Sequence, residues 1–422
     1  MSILIKGATL PEGKQSDILL EGNKISKIAP SLAEPADEKI DAKGKLLLPG
    51  FINTHAHSAM SLLRGFADDM SLKRWLETKI WPAEKKMSET DVYWGTMLAA
   101  AEMIRSGTTC FSDMYFHPDS VHKAATDSGM RAMVGYSVLD LGDSAKRKSE
   151  LALSESFLKK HSKAKQGRVF VSVQPHAPNT CSKELLIASL EQAKNYNAKL
   201  HIHLSETRRE VFELLQKTKM RPVDYLASLG FLSPNVILAH CVWLTKQEIK
   251  VLAHHGASVS HNPVSNMKLA SGGVAPIPEM LESGVNVALG TDGAASNNSL
   301  SMFEVMKTAS LLQKNMRWDE QSINAQQSFD FATRNGAKAL GIDAGEIKEG
   351  KLADLILLDL NAPNMLPAHS LISNIVYSAH AGNVTDSIID GKIVMRNRKV
   401  LAFDEEKVLE EAKKAAQRIA YS

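Results

Sequence analysis

Short apolar runs alternate with amphipathic stretches through the middle of this chain, and polar residues end most of the runs. Eight runs are nearly continuous in apolar residues: 46–53, 109–113, 131–138, 168–174, 198–204, 235–240, 257–261 and 285–290. Such runs are typical of parallel strands that are covered on both faces. The stretches between them, such as 91–104 and 183–194, carry the period of helices. Eight strand–helix units in sequence predict an α/β protein built on a closed (β/α)₈, TIM-like barrel. An open doubly wound sheet is the alternative, but no run is followed by the glycine-rich phosphate loop that would favour it.

Both ends of the chain carry shorter β-type runs. These runs flank Gly22 near one end and Gly391 near the other, so each pair predicts a hairpin whose turn uses the positive φ of glycine. Neither end is long enough to bury a hydrophobic core by itself. We therefore expect residues 1–48 and 350–422 to form one small composite β-sandwich domain, and residues 49–349 to form the barrel.

Composition and charge narrow the classes of partner. The 422 residues carry a net charge of +3, from 50 Lys+Arg against 47 Asp+Glu, which indicates neither nucleic acid nor a membrane surface as a partner. The three cysteines, Cys110, Cys181 and Cys241, lie far apart and form no CxxC pair, so the sequence predicts no disulfide framework and no thiolate zinc site. Without a long apolar run at its beginning, the chain is expected to be a cytoplasmic protein, with assembly into a homo-oligomer left open.

Histidines cluster where the predicted strands end. Seven of the 14 histidines fall at or near these ends: His55, His57, His176, His201, His203, His240 and His261. The carboxyl ends of barrel strands form the face that carries active sites. His55 and His57 lie two apart, so their side chains face the same way, and paired neutral imidazoles suit zinc or another divalent transition metal. A satisfied core histidine explains any one of the seven, but it does not explain their common placement.

Three motifs are specific enough to indicate a family. The segments PGFINTHAH at 49–57, HLSET at 203–207 and GTDGAASNN at 290–298 resemble the amidohydrolase superfamily, and within it the 5-methylthioadenosine/S-adenosylhomocysteine deaminases. The resemblance covers nearly the whole chain, including GKLADL at 350–355, which looks like the strand that returns to the terminal β domain. The tract 68–86 with its WPAE segment, and QPHAP at 174–178, narrow the resemblance to this branch and its neighbours.

The resemblance implies a site for one divalent metal ion. Its ligands would be His55, His57, His203 and Asp292, with Zn²⁺ expected first and Fe²⁺ or Mn²⁺ as alternatives. Strand parity leaves His201 and His203 equally placed, and the family motif favours His203. Dinuclear relatives carry a bridging lysine at the end of the fourth strand, where this chain reads VSVQ, so one metal ion is expected.

The resemblance also implies roles in catalysis. Adenine C6 is a poor electrophile and ammonia a poor leaving group, so deamination needs both an activated water molecule and a proton donor. Asp292 is expected to accept the proton of the water with an oxygen that the metal leaves free, and to pass it to the departing amine. Glu206 is expected to protonate N1 of the purine. His240 is expected to hold the attacking oxygen over C6, with a histidine behind the ligands as the alternative.

Three further residues are candidates for substrate binding. Glu84 corresponds to a family glutamate that binds the ribose hydroxyls, and a glutamate on a helix surface is the alternative. His176 corresponds to a residue that contacts the nucleoside, and a structural histidine is the alternative. Arg147, in the segment GDSAKRK after the third strand, is the candidate for binding the carboxylate of a homocysteinyl 5′ group. A Lys-Arg-Lys run before a helix is more often a solvated face.

The sequence therefore predicts hydrolytic deamination of a small nucleoside: S-adenosylhomocysteine, 5′-methylthioadenosine, 5′-deoxyadenosine or adenosine. Two alternatives remain. The same metal site could act on another amino- or halo-heterocycle, namely guanine, cytosine or a triazine, but Glu84 and His176 favour a substrate that carries ribose. A non-catalytic barrel protein is the third hypothesis, and it does not explain why every expected ligand position is filled.

Overall fold

The structure is a computed structural model that describes residues 1–162 and 167–421. The strands are β1 (Ser2–Thr9), β2 (Gln15–Glu21), β3 (Lys24–Ala29), β4 (Glu38–Asp41), β5 (Lys45–Pro49), β6 (Phe51–Ala56), β7 (Thr108–Tyr115), β8 (Arg131–Val138), β9 (Val169–Pro175), β10 (Lys199–Leu204), β11 (Val236–His240), β12 (Ser258–His261), β13 (Asn286–Leu289), β14 (Leu355–Asp359), β15 (Val384–Ile389), β16 (Lys392–Arg396) and β17 (Lys399–Val400).

The helices fill most of the intervals between the strands. They are α1 (Leu72–Trp75), α2 (Trp81–Glu84), α3 (Glu89–Arg105), α4 (Pro118–Asp127), α5 (Ser144–His161), α6 (Lys183–Tyr196), α7 (Arg208–Thr218), α8 (Pro222–Ser228), α9 (Lys246–His255), α10 (Pro263–Lys268), α11 (Ile277–Glu282), α12 (Ala294–Asn297), α13 (Met302–Arg317), α14 (Ala325–Phe331), α15 (Arg334–Leu340), α16 (Leu371–Tyr377) and α17 (Glu405–Tyr421). Short 3₁₀ or π turns occupy Ser58–Leu63, Leu76–Ile80, Pro363–Met365 and Ala381–Asn383. Among the described residues, no helix combines the length and the apolar character that a membrane crossing requires.

Strands β6 to β13 form a parallel sheet in which each strand pairs with the next along the chain. Side chains join the two ends of this sheet: the Thr54 hydroxyl donates to the carbonyl of Leu289 at 2.9 Å, and the Asn53 amide donates to Thr291 Oγ1 at 2.7 Å. The sheet is thus a nearly closed barrel with helices outside it, and the predicted fold class is confirmed.

The first predicted run, 46–53, is two strands in the structure. β5 belongs to the terminal sheet and β6 opens the barrel, with Gly50 between them. A Cβ atom at Gly50 would lie 2.2 Å from the side chain of Thr109 on β7, so the chain crosses between the two sheets where no larger residue fits. The other seven predicted runs match the observed strands to within two residues at each end.

The remaining nine strands form one sheet, with the order β17-β16-β15-β14-β5-β1-β2-β3 and β4 beside β1. Both predicted hairpins are present, β2 with β3 and β15 with β16. The two turns touch each other: Gly391 has a φ of +71°, and a Cβ atom there would lie 1.9 Å from the carbonyl oxygen of Gly22. Both ends of the described chain therefore build one sheet. The exact division of the chain at residues 48 and 350 stays a prediction.

Candidate metal centre and active site

A cavity of about 1000 Å³ opens at the carboxyl ends of the barrel strands, as predicted for this fold. Seven of the nine predicted site residues line it: His57, Glu84, His176, His203, Glu206, His240 and Asp292. His55 lies fully buried beneath its floor. Arg147 lies outside the cavity.

The four predicted metal ligands lie close together in two overlapping groups, His55 with His57 and Asp292, and His55 with His203 and His240; the ligand atoms within each group lie within 4.8 Å of one another. Asp292 Oδ1 lies 3.2 Å from His57 Nε2 and 3.5 Å from His55 Nε2, and His203 Nε2 lies 3.4 Å from His57 Nε2. Ligand atoms about 2.0–2.1 Å from a tetrahedral ion are about 3.3 Å apart, so these separations fit one ion. His55 Nε2 is buried and has no hydrogen-bond partner among the described residues, as expected for a nitrogen that binds a metal ion. The residues present therefore fit a divalent ion.

Backbone carbonyls orient two of these histidines. His57 Nδ1–H donates to the carbonyl of Met114 at 2.6 Å, and His203 Nδ1–H donates to the carbonyl of His176 at 2.7 Å. Both rings then present the lone pair of Nε2 to the cavity floor. Burial holds the pKa of His203 well below its usual range, so this ring is neutral. Burial also lowers the pKa of His57, but the carboxylate of Asp292 outweighs it and raises the pKa to about 9, so a proton and a metal ion compete at this ring.

His201 and His203 differ in depth, although both face the barrel interior. His203 reaches the converging ligands, whereas His201 lies beneath them, with Nε2 3.1 Å from Nδ1 of His55. His203 therefore lies beside the other candidate ligands, and His201 lies behind His55.

Asp292 is held in a strained conformation, with a φ of +62° and its backbone N–H donating to the carbonyl of His55 at 2.9 Å. Its Oδ1 faces the histidines, while its Oδ2 accepts hydrogen bonds from Ser265 at 2.5 Å and Ser296 at 3.0 Å. Burial tends to raise the pKa of Asp292, but the nearby imidazoles of His55 and His57 hold it well below its usual range. The sequence analysis expected this second oxygen to be free, but in the structure two serine hydroxyls occupy it.

Glu206 and His240 face each other across the cavity, with Glu206 Oε2 3.6 Å from His240 Nε2. Burial, followed by the charges of Glu210 and Asp292, raises the pKa of Glu206 well above its usual range and so favours the protonated carboxyl. The Nδ1 of His240 accepts a hydrogen bond from the Asn266 amide at 2.9 Å, which leaves the ring proton on Nε2, toward Glu206. Burial lowers the pKa of His240 to about 3, so this donor is neutral.

Glu84 and His176 offer polar atoms to a ligand. Glu84 ends α2, is 8% exposed, and has an Oε1 without a hydrogen-bond partner in the described part of the chain. Burial raises the pKa of Glu84 to about 7, against the opposing effects of Tyr115 and His57. The Nδ1 of His176 contacts Thr180 Oγ1 at 2.9 Å, which leaves the Nε2 of this ring for a ligand.

Arg147 lies outside the cavity, on α5. Its guanidinium donates to Ser182 Oγ at 3.2 Å and lies 3.5 Å from the carboxylate of Asp140 and 3.6 Å from that of Glu184. These partners come from the loop between β8 and α5 and from the start of α6, and they hold the side chain away from the cavity. The neighbourhood of Arg147 is a structural ion-pair network.

His261 shows the limit of reasoning from strand ends. The side chain of its neighbour Asn262 lies 3.3 Å from Nδ1 of His240, which lines the cavity, and side chains alternate along a strand, so His261 faces away from the cavity. It is buried, and neither ring nitrogen has a partner among the described residues. It does not line the cavity. The sequence analysis weighed His201 only as an alternative ligand, and it gave no role to Ser265, Ser296 and Asn266, whose side chains contact Asp292 or His240.

Three imidazoles and a carboxylate lie close together here at the carboxyl end of a (β/α)₈ barrel, beside the buried carboxyl of Glu206, and this arrangement defines a metal-dependent barrel hydrolase. The amidohydrolase family model matches residues 46–394, and the chain belongs to this family.

Individual relatives agree with this assignment. The 5′-deoxyadenosine deaminase of Methanocaldococcus jannaschii is 49% identical over 413 residues, which cover 97% of this chain and 98% of the relative. The 5-methylthioadenosine/S-adenosylhomocysteine deaminase of Thermococcus sibiricus is 49% identical over 400 residues, 94% of either chain. Among solved structures, an adenosine deaminase from Xanthomonas campestris with bound zinc superposes with a TM-score of 0.93 at 31% identity, over 100% of this chain and 98% of its own. The predicted family and the hydrolase class are confirmed.

Proposed function

We propose that the protein removes the 6-amino group of adenine nucleosides by hydrolysis and releases ammonia and the inosine analogue. The observation that carries this proposal is a single cavity in which a metal-ligand set, a protonated Glu206 and the unpartnered Glu84 face one another. Relatives that share nearly half of their residues with this chain are named as deaminases of 5′-deoxyadenosine and of 5-methylthioadenosine/S-adenosylhomocysteine, which supports the same chemistry here.

One divalent ion per chain, with zinc expected first, would be held by His55, His57, His203 and Asp292. When bound, the ion supplies the Lewis acidity that makes water a nucleophile at neutral pH. The strand β9 reads VFVSVQP and offers no lysine to bridge a second ion. Metal analysis of the purified protein should return one equivalent, and chelation should abolish activity. Two equivalents, or full activity in the stripped protein, would contradict the mononuclear site.

The residues around the cavity can complete the proton transfers. Glu206 gives its proton to N1 of the purine, and the Nε2–H of His240 donates a hydrogen bond to the attacking oxygen and holds it over C6. Asp292 takes one proton of the water and passes it to the amino group, which leaves as ammonia. The second proton of the added water returns to Glu206 as the C6 carbonyl forms, so protons and atoms balance.

Asp292 needs a lone pair on Oδ2 for this role, and two serine hydroxyls occupy that oxygen. The hydroxyl of Ser296 has a second acceptor, the carbonyl of Gly293, also at 3.0 Å. A rotation of the Ser296 hydroxyl toward that carbonyl frees Oδ2 without leaving a donor unpaired. Asp292 can thus receive a proton while the rest of the site stays fixed.

The choice of nucleosides over free bases rests on Glu84 and His176. A buried carboxylate with an unused oxygen is the acceptor that the ribose 2′- and 3′-hydroxyls require, and a free base has no group to meet it. Initial rates of ammonia release should be compared among 5′-deoxyadenosine, 5′-methylthioadenosine, S-adenosylhomocysteine and adenosine, with adenine, guanine, cytosine and a chlorotriazine beside them. Faster turnover of a free base or a triazine than of every nucleoside would favour the alternative heterocycle hydrolase.

We also propose a broad tolerance for the 5′ substituent. Arg147, the residue expected to bind a homocysteinyl carboxylate, forms ion pairs with Asp140 and Glu184 and does not line the cavity. Without a charged contact to the homocysteinyl carboxylate, the site should discriminate little among substrates with 5′-methyl, 5′-methylthio and 5′-homocysteinyl groups. The partner proposed here is the small nucleoside alone, without nucleic acid or membrane. A cytoplasmic location and a homo-oligomer remain predictions from the sequence.

A further inference from the structure

His201 occupies a distinct place behind the candidate metal centre. It lies on β10, two residues before His203, and is fully buried in the barrel interior. Its Nε2 is 3.1 Å from Nδ1 of His55, and its Nδ1 is 3.0 Å from the hydroxyl oxygen of Ser112 on β7. Three polar side chains thus form a chain that runs from the metal ligand into the core.

The direction of the protons along this chain decides whether His55 can bind a metal. The ring atom of His55 that faces Asp292 is Nε2, 3.5 Å from Oδ1, and it must offer a lone pair to a metal ion. The single proton of the neutral ring then sits on Nδ1, which requires an acceptor. His201 Nε2 is the atom in contact with it. If His201 instead carried its proton on Nε2, His55 would carry its own where the metal binds.

We propose that His201, held by Ser112, is a positioning residue that fixes His55 as the Nδ1–H tautomer and so prepares its Nε2 for a divalent metal ion. In this arrangement His201 carries its proton on Nδ1 and donates it to the hydroxyl oxygen of Ser112. The other two ligand histidines donate to the backbone carbonyls of Met114 and His176. A carbonyl can only accept a hydrogen bond, whereas an imidazole can donate or accept one. Among the three ligand histidines, His55 is therefore the one whose tautomer depends on the protonation of another side chain.

Two substitutions of His201 separate the hydrogen bond from the bulk of the ring. His201→Leu removes the acceptor, and His201→Gln keeps an amide oxygen that can accept from His55. Loss of an outer partner of a metal-binding histidine typically weakens metal affinity about 10- to 100-fold, so we expect that loss for the leucine variant and recovery of most of it by glutamine. The readout is the zinc dissociation constant of the purified full chain, measured by competition with a chromophoric chelator, together with thermal unfolding of the metal-free protein.

His261→Leu is the matched control. His261 is an equally buried histidine on β12 that faces away from the cavity, so its replacement should leave zinc affinity within about threefold of the parent. Ser112→Ala provides a variant that leaves the imidazole in place, and the loss of one neutral hydrogen bond should weaken zinc binding about 3- to 10-fold. It keeps the proposal testable if the leucine variant does not fold.

The inference rests on the proposed metal site, and the outcomes tell the two apart. If the parent protein binds no divalent ion, the proposed function fails regardless of His201. If the parent binds zinc and a folded His201→Leu binds it equally well, or glutamine rescues nothing, the tautomer role is overturned. Unchanged zinc affinity in Ser112→Ala overturns the part that this hydroxyl plays.

Discussion

Replacement of Glu206 with glutamine removes the proposed proton donor while leaving the metal ligands untouched. Glutamine has the same shape and can still donate a hydrogen bond to N1, but it cannot release a proton. Glu206 Oε2 lies 3.6 Å from His240 Nε2, beyond hydrogen-bond distance, so the substitution breaks no tight contact with that ring. Because burial and the neighbouring carboxylates raise the pKa of Glu206 and so favour its neutral form, the amide should also change the local charge little. Fold and metal content should therefore survive.

The expected loss follows from the strength of a general acid. Such a group typically contributes about 10²–10⁴-fold, or roughly 2.7–5.5 kcal/mol of transition-state stabilisation. Burial and two neighbouring carboxylates, Glu210 and Asp292, all keep the proton on Glu206, so we expect kcat to fall by about 10³-fold. KM should change little, because the amide still binds N1 in the ground state.

The assay is the initial rate of ammonia release from 5′-deoxyadenosine, with metal content measured on the same samples. The control is Glu213→Gln, since Glu213 also lines the cavity on α7 but pairs with Arg209 and should alter kcat less than threefold. The protonated acid is the active form, so kcat/KM of the parent should fall as pH rises through the raised pKa. A loss under tenfold in a metal-replete Glu206→Gln variant would refute Glu206 as the donor.

Three further substitutions test the other roles. Glu84→Gln should lower kcat/KM for 5′-deoxyadenosine by about 10- to 100-fold, which is the contribution of a charged hydrogen bond. The loss should be smaller for 2′,5′-dideoxyadenosine, which lacks the 2′-hydroxyl. An equal loss on both substrates would show that Glu84 does not bind the ribose. His240→Asn should retain the metal and lower kcat at least tenfold. Loss of the metal instead would identify His240 as a ligand, because its ligand atom lies within 4.8 Å of those of His55 and His203. Arg147→Gln should leave kcat/KM unchanged for S-adenosylhomocysteine and 5′-methylthioadenosine alike; a drop for S-adenosylhomocysteine alone would show that Arg147 binds the homocysteinyl carboxylate.

The candidate site could be predicted largely because a barrel brings strand ends together. His55, His203 and Asp292 are far apart in sequence, but each ends a strand or follows one, and parallel strands present these ends on one face. The period of the apolar residues was enough to locate seven of the eight barrel strands. The first was misjudged because its apolar residues continue across Gly50, and nothing in the apolar pattern marks the change from one sheet to another.

Other features depend on contacts that no local pattern records. His201 and His203 share the same strand parity, so only the depth of each in the barrel separates ligand from support. The position of Arg147 is set by Asp140, in the loop after β8, and by Glu184, in the first turn of α6. The serine hydroxyls on Asp292 belong to the same kind of long-range contact. Parity and spacing locate a strand and its inward face, and tertiary packing decides the rest.

The terminal sheet places a constraint on how the protein is synthesised. β5 pairs in antiparallel register with β14, from Lys45 opposite Asp359 to Pro49 opposite Leu355. Between them lie roughly 300 residues, which a ribosome translating about 5–20 residues per second needs about 15–60 s to make. Throughout that interval the backbone N–H and C=O groups on one side of β5 have no partner, and an open strand edge invites pairing with other chains. All eight barrel strands are synthesised before β14, so the barrel can assemble first. The chain that follows the barrel can then place β14 beside the open edge of β5.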